Sequence, residues 1–314
     1  MSIKDEIIFS SGGRIRDTLN LIGNDEFEHF EELRFRTGCP AFVKKSNGEF
    51  FINTNGNITK RPVNSFVPEK EDIDTFIRLL SGYSVYAFEE EIKNGFITVQ
   101  GGHRIGITGR TVLKDGKINS LTDFSGINIR ISHQIKGCGE NILPYLFNGQ
   151  EVFSTVIISP PGEGKTTLLR DLIRLLSLKG KNVSVADERG EIAGSFNGLA
   201  GNDLGTHTDI MDGCPKNEGM LMLLRSMSPD VIAVDELGGY EEIRSVELIL
   251  TSGVSFLCTV HGSDMQDAIN RAGMEKSLCM AYFKRFIELK RSQNHINAVI
   301  RDESGRVIGN EAIR

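Results

Sequence analysis

Cysteine is scarce in this chain and badly spaced for pairing. Cys39, Cys138, Cys214, Cys258 and Cys279 are odd in number, far apart and never in a Cys-x-x-Cys pair, so neither a disulfide framework nor a zinc site is signalled. Reduced, buried thiols are expected. No apolar run approaches the ~20 residues that span a bilayer, and Met1-Ser2-Ile3-Lys4-Asp5-Glu6 lacks the basic and apolar regions of a signal peptide, which points to the cytosol. Basic charge is not in excess either. A formal net charge of −6 and the lack of a basic, aromatic tract argue against sequence-independent binding of nucleic acid, which depends on many Lys and Arg contacts to phosphate. Internal repeats and low-complexity tracts are missing too.

What is present is enough apolar residue for a sizeable core, 39% of a 314-residue chain, a length that suggests two domains. The first half reads as α+β. An amphipathic segment runs from Arg14 to Ile22, strands are expected at Leu33 to Arg36 and Ala41 to Lys45, and the turn Ser46-Asn47-Gly48-Glu49 leads into Phe50-Phe51-Ile52 as a hairpin. Ile73, Phe76, Ile77 and Leu80 recur at helical spacing, and a second helix is expected from Val85 to Lys93. Short strands then follow at Phe96 to Val99, Arg104 to Thr108 and Ile127 to Ile131, broken by glycines. The boundary is placed at 140/141, giving an α+β domain over 1–140 and an α/β domain over 141–314.

The second half alternates strand and helix: Val152 to Ile158, Thr166 to Leu178, Asn182 to Ala186, Gly219 to Met227, Val231 to Val234, Glu241 to Thr251 and Val254 to Val260. That order implies a mainly parallel sheet covered on both faces, with ligands at the carboxyl ends of its strands. A meander is expected at Phe283 to Leu289, Ile296 to Ile300 and Arg306 to Ile308. The Gly- and Asp-rich stretch from Gly194 to Gly219 reads as a long mobile loop, and the spacing of His207, Asp209, Asp212 and Cys214 matches no compact metal site.

Between the first strand and helix of this half lies Ser159-Pro160-Pro161-Gly162-Glu163-Gly164-Lys165-Thr166-Thr167. Strand, glycine-bearing loop and helix start with Lys-Thr-Thr are the context of a phosphate-binding loop. Successive backbone N–H groups at Gly164, Lys165 and Thr166 can curl round a β-phosphate at a helix N-terminus, where unpaired donors and the helix dipole favour negative charge. Lys165 would reach the β- and γ-phosphates, and the Thr166 hydroxyl would join a Mg²⁺ shell. Ser159, Gly162, Glu163, Gly164, Lys165, Thr166 and Thr167 are therefore the expected nucleotide cradle, with Ser159 standing where the usual pattern begins with glycine. A plain Gly/Pro turn would not explain the Lys-Thr-Thr.

Two strand ends supply acids. Val231-Ile232-Ala233-Val234-Asp235-Glu236 is an apolar run ending in two carboxylates about 70 residues after the loop. Asp235 would hold the Mg²⁺ side of the site and Glu236 would orient or deprotonate the attacking water. Ala186-Asp187-Glu188-Arg189-Gly190-Glu191 concentrates three carboxylates and an arginine at a second strand end. A third strand ends at His261, placed to bond a γ-phosphate or Glu236.

Together these strand ends resemble the Asp box (Asp187-Glu188-Arg189), Walker B (Asp235-Glu236) and His box (His261) of the type II/type IV secretion ATPase superfamily of hexameric RecA-like motors. Ser159-Pro160-Pro161, Asp187 through Gly194, Asp212-Gly213-Cys214-Pro215-Lys216, Arg225 through Asp230, Thr259 through Gly262, Glu32 through Arg36 and Asn128 through Ile131 are similar to the stage III sporulation protein AA family within it. The resemblance implies a RecA-like domain behind a smaller α+β domain, ATP and Mg²⁺ as cofactors, and a homo-hexamer. It further implies docking on membrane proteins of a channel complex between mother cell and forespore, from the cytoplasm of the mother cell. Secretion ATPases commonly carry Glu before the Asp-box Asp; here Ala186 stands there, so water activation falls to Glu236, with Glu188 second. A neighbouring subunit's arginine would complete the site, with Arg104, Arg110 and Arg130 as candidates and Arg130 chosen for test, while Arg189 could instead act within its own subunit. Other classes compatible with the motifs are a RecA-like ATPase acting on nucleic acid and a nucleotide-gated scaffold without turnover.

Overall fold

The computed structural model describes residues 2–80, 95–196, 198–274, 278–292 and 295–313. The helix expected over 85–93 lies outside these residues. The chain divides into two compact units, one of residues 1–133 with 194–201, the other of 134–193 with 202–314. Among the described residues no helix is long and apolar enough to cross a membrane.

In the first unit, helices α1 (Ile3–Phe9), α2 (Gly13–Asn20), α3 (Asn24–Phe27) and α4 (Lys70–Leu80) accompany a seven-stranded sheet. Its strands are β1 (Glu32–Arg36), β2 (Cys39–Lys45), β3 (Gly48–Ile52), β4 (Ile58–Thr59), β5 (Phe96–Val99), β6 (His103–Lys114) and β7 (Lys117–Arg130), in the order β4-β3-β2-β1-β7-β6-β5 with antiparallel neighbours. Leu33, Phe35, Ile105 and Ile129 on the sheet and Ile15, Leu19, Ile73 and Phe76 on the helices share one buried core. Ser2 caps α1 in a reciprocal box with Asp5. β6 and β7 are longer than their glycines suggest, because Gly109 does not end β6. It sits where the register shifts between Thr108 and Arg110, and a Cβ there would come within 2.6 Å of the Thr122 carbonyl oxygen. Glycine marks a bulge inside this strand.

The second unit holds the short pair β8 (Phe147–Asn148) and β9 (Glu151–Val152), and an eight-stranded sheet. The sheet's strands are β10 (Ser154–Ser159), β11 (Val183–Asp187), β12 (Thr208–Asp212), β13 (Val231–Val234), β14 (Ser255–His261), β15 (Phe283–Ser292), β16 (His295–Asp302) and β17 (Val307–Ile313). The order is β12-β11-β13-β14-β10-β15-β16-β17. Pairings from β12 through β15 are parallel, and β15-β16-β17 is the antiparallel meander. Successive residues of β10 part between two cores, Ile157 with Leu168, Leu172 and Val183, and Val156 and Ile158 with Met220, Val246 and Phe256. That period-two split is what a sheet buried on both faces requires. Helix α5 (Lys165–Leu178) covers the first face, and α6 (Lys216–Ser226), α7 (Tyr240–Thr251) and α8 (Met265–Ala272) cover the second.

The stretch from Gly194 to Gly219, read above as a mobile loop, contains β12 at the sheet edge, paired parallel with β11. As an edge strand it has one neighbour and stays half-exposed, so Thr208-Asp209-Ile210-Met211-Asp212 needs no continuous apolar run and carries no clear strand signal. Helix α8 was likewise not legible; Asp264 caps it by accepting the Asp267 N–H.

Candidate functional site

Parallel pairing brings the carboxyl ends of β10, β11, β13 and β14 to one edge. Ser159 lies opposite His261, and Ala186 opposite Val234, whose next residue is Asp235. Between β10 and α5, Gly162 and Gly164 take φ of +77° and +87°, which bends the chain through a conformation that side chains with a Cβ rarely adopt. Helix α5 then starts at Lys165 with its first N–H groups facing the loop.

Lys165 is buried and folded back. Its Nζ donates to the Ser159 carbonyl (2.7 Å), the Pro160 carbonyl (3.0 Å) and Ser159 Oγ (3.3 Å), and lies 3.0 Å from His261 Nδ1. Ser159, at the position usually occupied by glycine, thus helps to hold the lysine. Thr166 Oγ1 donates to Asp235 Oδ2 at 2.7 Å. Glu236 is held from two sides, its Oε1 2.9 Å from His261 Nε2 and its Oε2 accepting from Arg189 Nη1 at 2.9 Å. The expected loop, acid pair and histidine therefore converge, joined as Lys165, His261, Glu236 and Arg189.

Asp187 takes no part in that chain. Its carboxylate accepts the N–H groups of Glu191, Ile192 and Ala193 at 2.8–3.0 Å and so shapes the turn carrying Glu188 and Arg189. Glu188 is exposed, its Oε2 3.9 Å from Lys216 Nζ. Glu163 accepts the Arg291 N–H at 3.1 Å. Arg130 belongs to β7 in the first unit, mostly exposed, with its Nε 4.0 Å from Glu32 Oε1.

Electrostatics fit an anion site with a ready base. Burial lowers the Lys165 pKa, opposed by the charges of Asp235, Glu236 and Glu163. For Glu236 burial is the largest influence and pushes upward, but the His261 hydrogen bond and the charges of His261, Arg189 and Lys216 outweigh it and hold the carboxyl below its usual range. Burial pushes Asp187 up to about 6, against its three backbone hydrogen bonds.

A model of the family described as "Sporulation stage III, protein AA" matches residues 1–308. The chain belongs to this family. Stage III sporulation protein AA of Bacillus subtilis (strain 168) is 35% identical over 94% of both chains. Among solved structures, the Legionella pneumophila ATPase DotB superposes with a TM-score of 0.57 at 16% identity, over 91% of this chain and 78% of that one. The pilus retraction motor PilT, solved with bound ADP, gives a TM-score of 0.56 at 12% identity over 91% and 80%. At these identities the likeness is one of fold: the family member described here has an α/β architecture similar to that of these ATPases.

Sequence reasoning missed two kinds of site residue. The first is Thr259 in β14, whose hydroxyl donates to Asp235 Oδ1 and accepts the Glu236 N–H (2.8 Å). The second is the meander, which with the loop lines an open cleft of about 650 Å³. Ile135, Leu168, Ile296 and Ile313 give it apolar walls, with Arg291 and His295 at its polar side. A threonine in a buried strand and residues of a C-terminal meander are ordinary in sequence; only the fold brings them to the loop.

Proposed function

We propose that this family member is a Mg²⁺-dependent ATPase whose turnover energises a sporulation-specific secretion or channel complex between mother cell and forespore. The observation that carries the reading is the convergence of Lys165 and Thr166, at the head of α5, with Asp235, Glu236 and His261 from two other strands. A turn between strand and helix needs none of those contacts.

In this reading Lys165 exchanges the Ser159 and Pro160 carbonyls for β- and γ-phosphate oxygens, while the loop N–H groups and the start of α5 cradle the β-phosphate. The base and ribose fit the cleft against Ile135, Leu168 and Ile296, apolar walls beside the phosphate loop. The Thr166 hydroxyl and Asp235 carboxylate, already 2.7 Å apart, are the all-oxygen pair that a hard divalent cation takes, so these two residues would hold Mg²⁺. Bound there, the ion would neutralise charge on the phosphate oxygens. Glu236, kept ionised, accepts the proton of a water that attacks the γ-phosphorus; the bond to the β,γ-bridging oxygen breaks, and ADP and phosphate leave. His261 joins Glu236 to Lys165, and Glu188 is the second acid at this edge.

A homo-hexameric ring, cytoplasmic and held at the membrane through partner proteins, completes the proposal, with Arg130 of a neighbouring subunit supplying positive charge to the transition state. Binding of fluorescent ADP tests the cradle. Lys165→Ala is expected to weaken it by about 10²-fold, on the order of the charge-assisted bonds removed. Wild-type affinity in that variant would contradict the cradle.

A further inference from the structure

Lys216 is the first residue of α6, following Pro215, whose φ of −54° suits the helix entry. It is nine-tenths buried, at a helix N-terminus where the dipole disfavours a cation. A lysine in such a place needs compensation, and it finds most of it in the segment from Asp235 to Glu242. Nζ donates to the Glu236 carbonyl at 2.6 Å and the Asp235 carbonyl at 3.2 Å, and lies 3.5 Å from Glu242 Oε1 and 3.9 Å from Glu188 Oε2. Glu242 in turn accepts the Gly238 N–H through its other oxygen at 2.9 Å.

The two carbonyls belong to the two peptides that flank the Glu236 Cα. That Cα has φ of +52°, a left-handed conformation disfavoured for a residue with a side chain, and few non-glycine residues among those described adopt it. From the opposite side Thr259 fixes the same two peptides, its hydroxyl taking the Glu236 N–H and its carbonyl the Leu237 N–H at 2.8 Å. Both peptide planes are pinned between β14 and the Lys216 ammonium. In this conformation the Glu236 side chain meets His261 and Arg189.

We propose that Lys216 is a positioning residue for the water-activating Glu236, clamping its backbone in the left-handed turn that aims the carboxylate at the γ-phosphate side of the site. The inference rests on the ATPase reading for the role of Glu236, but the clamp itself is a property of the nucleotide-free protein. It also gives a task to the Asp212-Gly213-Cys214-Pro215-Lys216 stretch, which the nucleotide cradle leaves unused.

Two readouts test it. Hydrogen exchange of nucleotide-free protein, followed by mass spectrometry, is expected to quicken in Lys216→Met over 235–239 while 159–168 stays unchanged. Steady-state kinetics of the same variant are expected to show kcat lowered by about 10²-fold, the scale of a misplaced catalytic group, with KM for ATP and ADP affinity within about 3-fold of wild type. Lys216→Arg, which keeps charge and donors, recovers at least about 10-fold of that loss. Unchanged exchange at 235–239 overturns the clamp, and so does a kcat loss matched by an equal loss of nucleotide affinity. Faster exchange in the variant together with no turnover by the wild type overturns the ATPase reading and, with it, the catalytic role given to the clamp. If Lys216→Met does not fold, Glu242→Gln, which weakens the ion pair and leaves an oxygen for the Gly238 N–H, decides through the same two readouts with a kcat loss of about 3- to 10-fold.

Discussion

Asp235 and Glu236 are adjacent carboxylates put to different uses by one backbone turn. Asp235 leaves the end of β13 with its oxygens on two hydroxyls, those of Thr166 and Thr259, while the left-handed turn at Glu236 sends the next side chain to His261 and Arg189. The pair and the histidine are legible in sequence because acids and histidines stand out at the ends of apolar runs. Thr259 and Lys216 lie in stretches that carry the family resemblance, but their roles are not legible, since threonine is an ordinary strand residue and lysine an ordinary surface one. Thr259→Val keeps the shape and removes the hydroxyl, leaving the Glu236 N–H and Asp235 Oδ1 only their longer bond to each other, at 3.1 Å. The expected result is a kcat lowered by about 10- to 100-fold with ADP affinity near wild type, and a stability loss of about 1–3 kcal/mol. Phosphate-release kinetics alongside urea unfolding checks both.

At the scale of elements, the site exists because four parallel strands end on one edge. Their apolar runs, Val156-Ile157-Ile158 in β10 and Val231 through Val234 in β13, were readable from sequence because strands buried on both faces read as near-continuous apolar stretches. Elements with mixed surroundings were harder: the half-exposed edge strand β12 lay inside a supposed loop, and Gly109 hid the length of β6. A glycine in a strand pattern signals a break or a bulge equally well, and only the register tells them apart. The packing behind β14 is where the edge is anchored. Phe256 is fully buried and meets Phe283 edge-on at 6.4 Å between ring centres. Phe256→Ala is expected to cost about 3–5 kcal/mol, measured by urea unfolding of the second unit. A loss below about 1 kcal/mol would mean this face is not a tightly packed core.

For the whole molecule, membership of the sporulation family and a fold like that of DotB and PilT fix the frame, and the ring and its docking partners are the proposal built on it. In the proposed ring, activity would be a property of the assembly: a site completed by a neighbour's Arg130 would work only when subunits meet. Arg130→Ala is therefore expected to spare ADP binding and to lower turnover by about 10³-fold or more, the scale of an arginine acting in trans. Equal turnover in that variant would remove Arg130 from the site while leaving Lys165, Asp235 and Glu236 in place.

Hydrolysis by the constellation at the strand edge stands or falls on phosphate release from ATP and Mg²⁺, per subunit, across a wide range of protein concentration, with Glu236→Gln measured beside the wild type. Turnover that rises with concentration, stops when EDTA removes the metal and falls by about 10²-fold or more in Glu236→Gln is the predicted result. Turnover by Glu236→Gln equal to that of the wild type would contradict it.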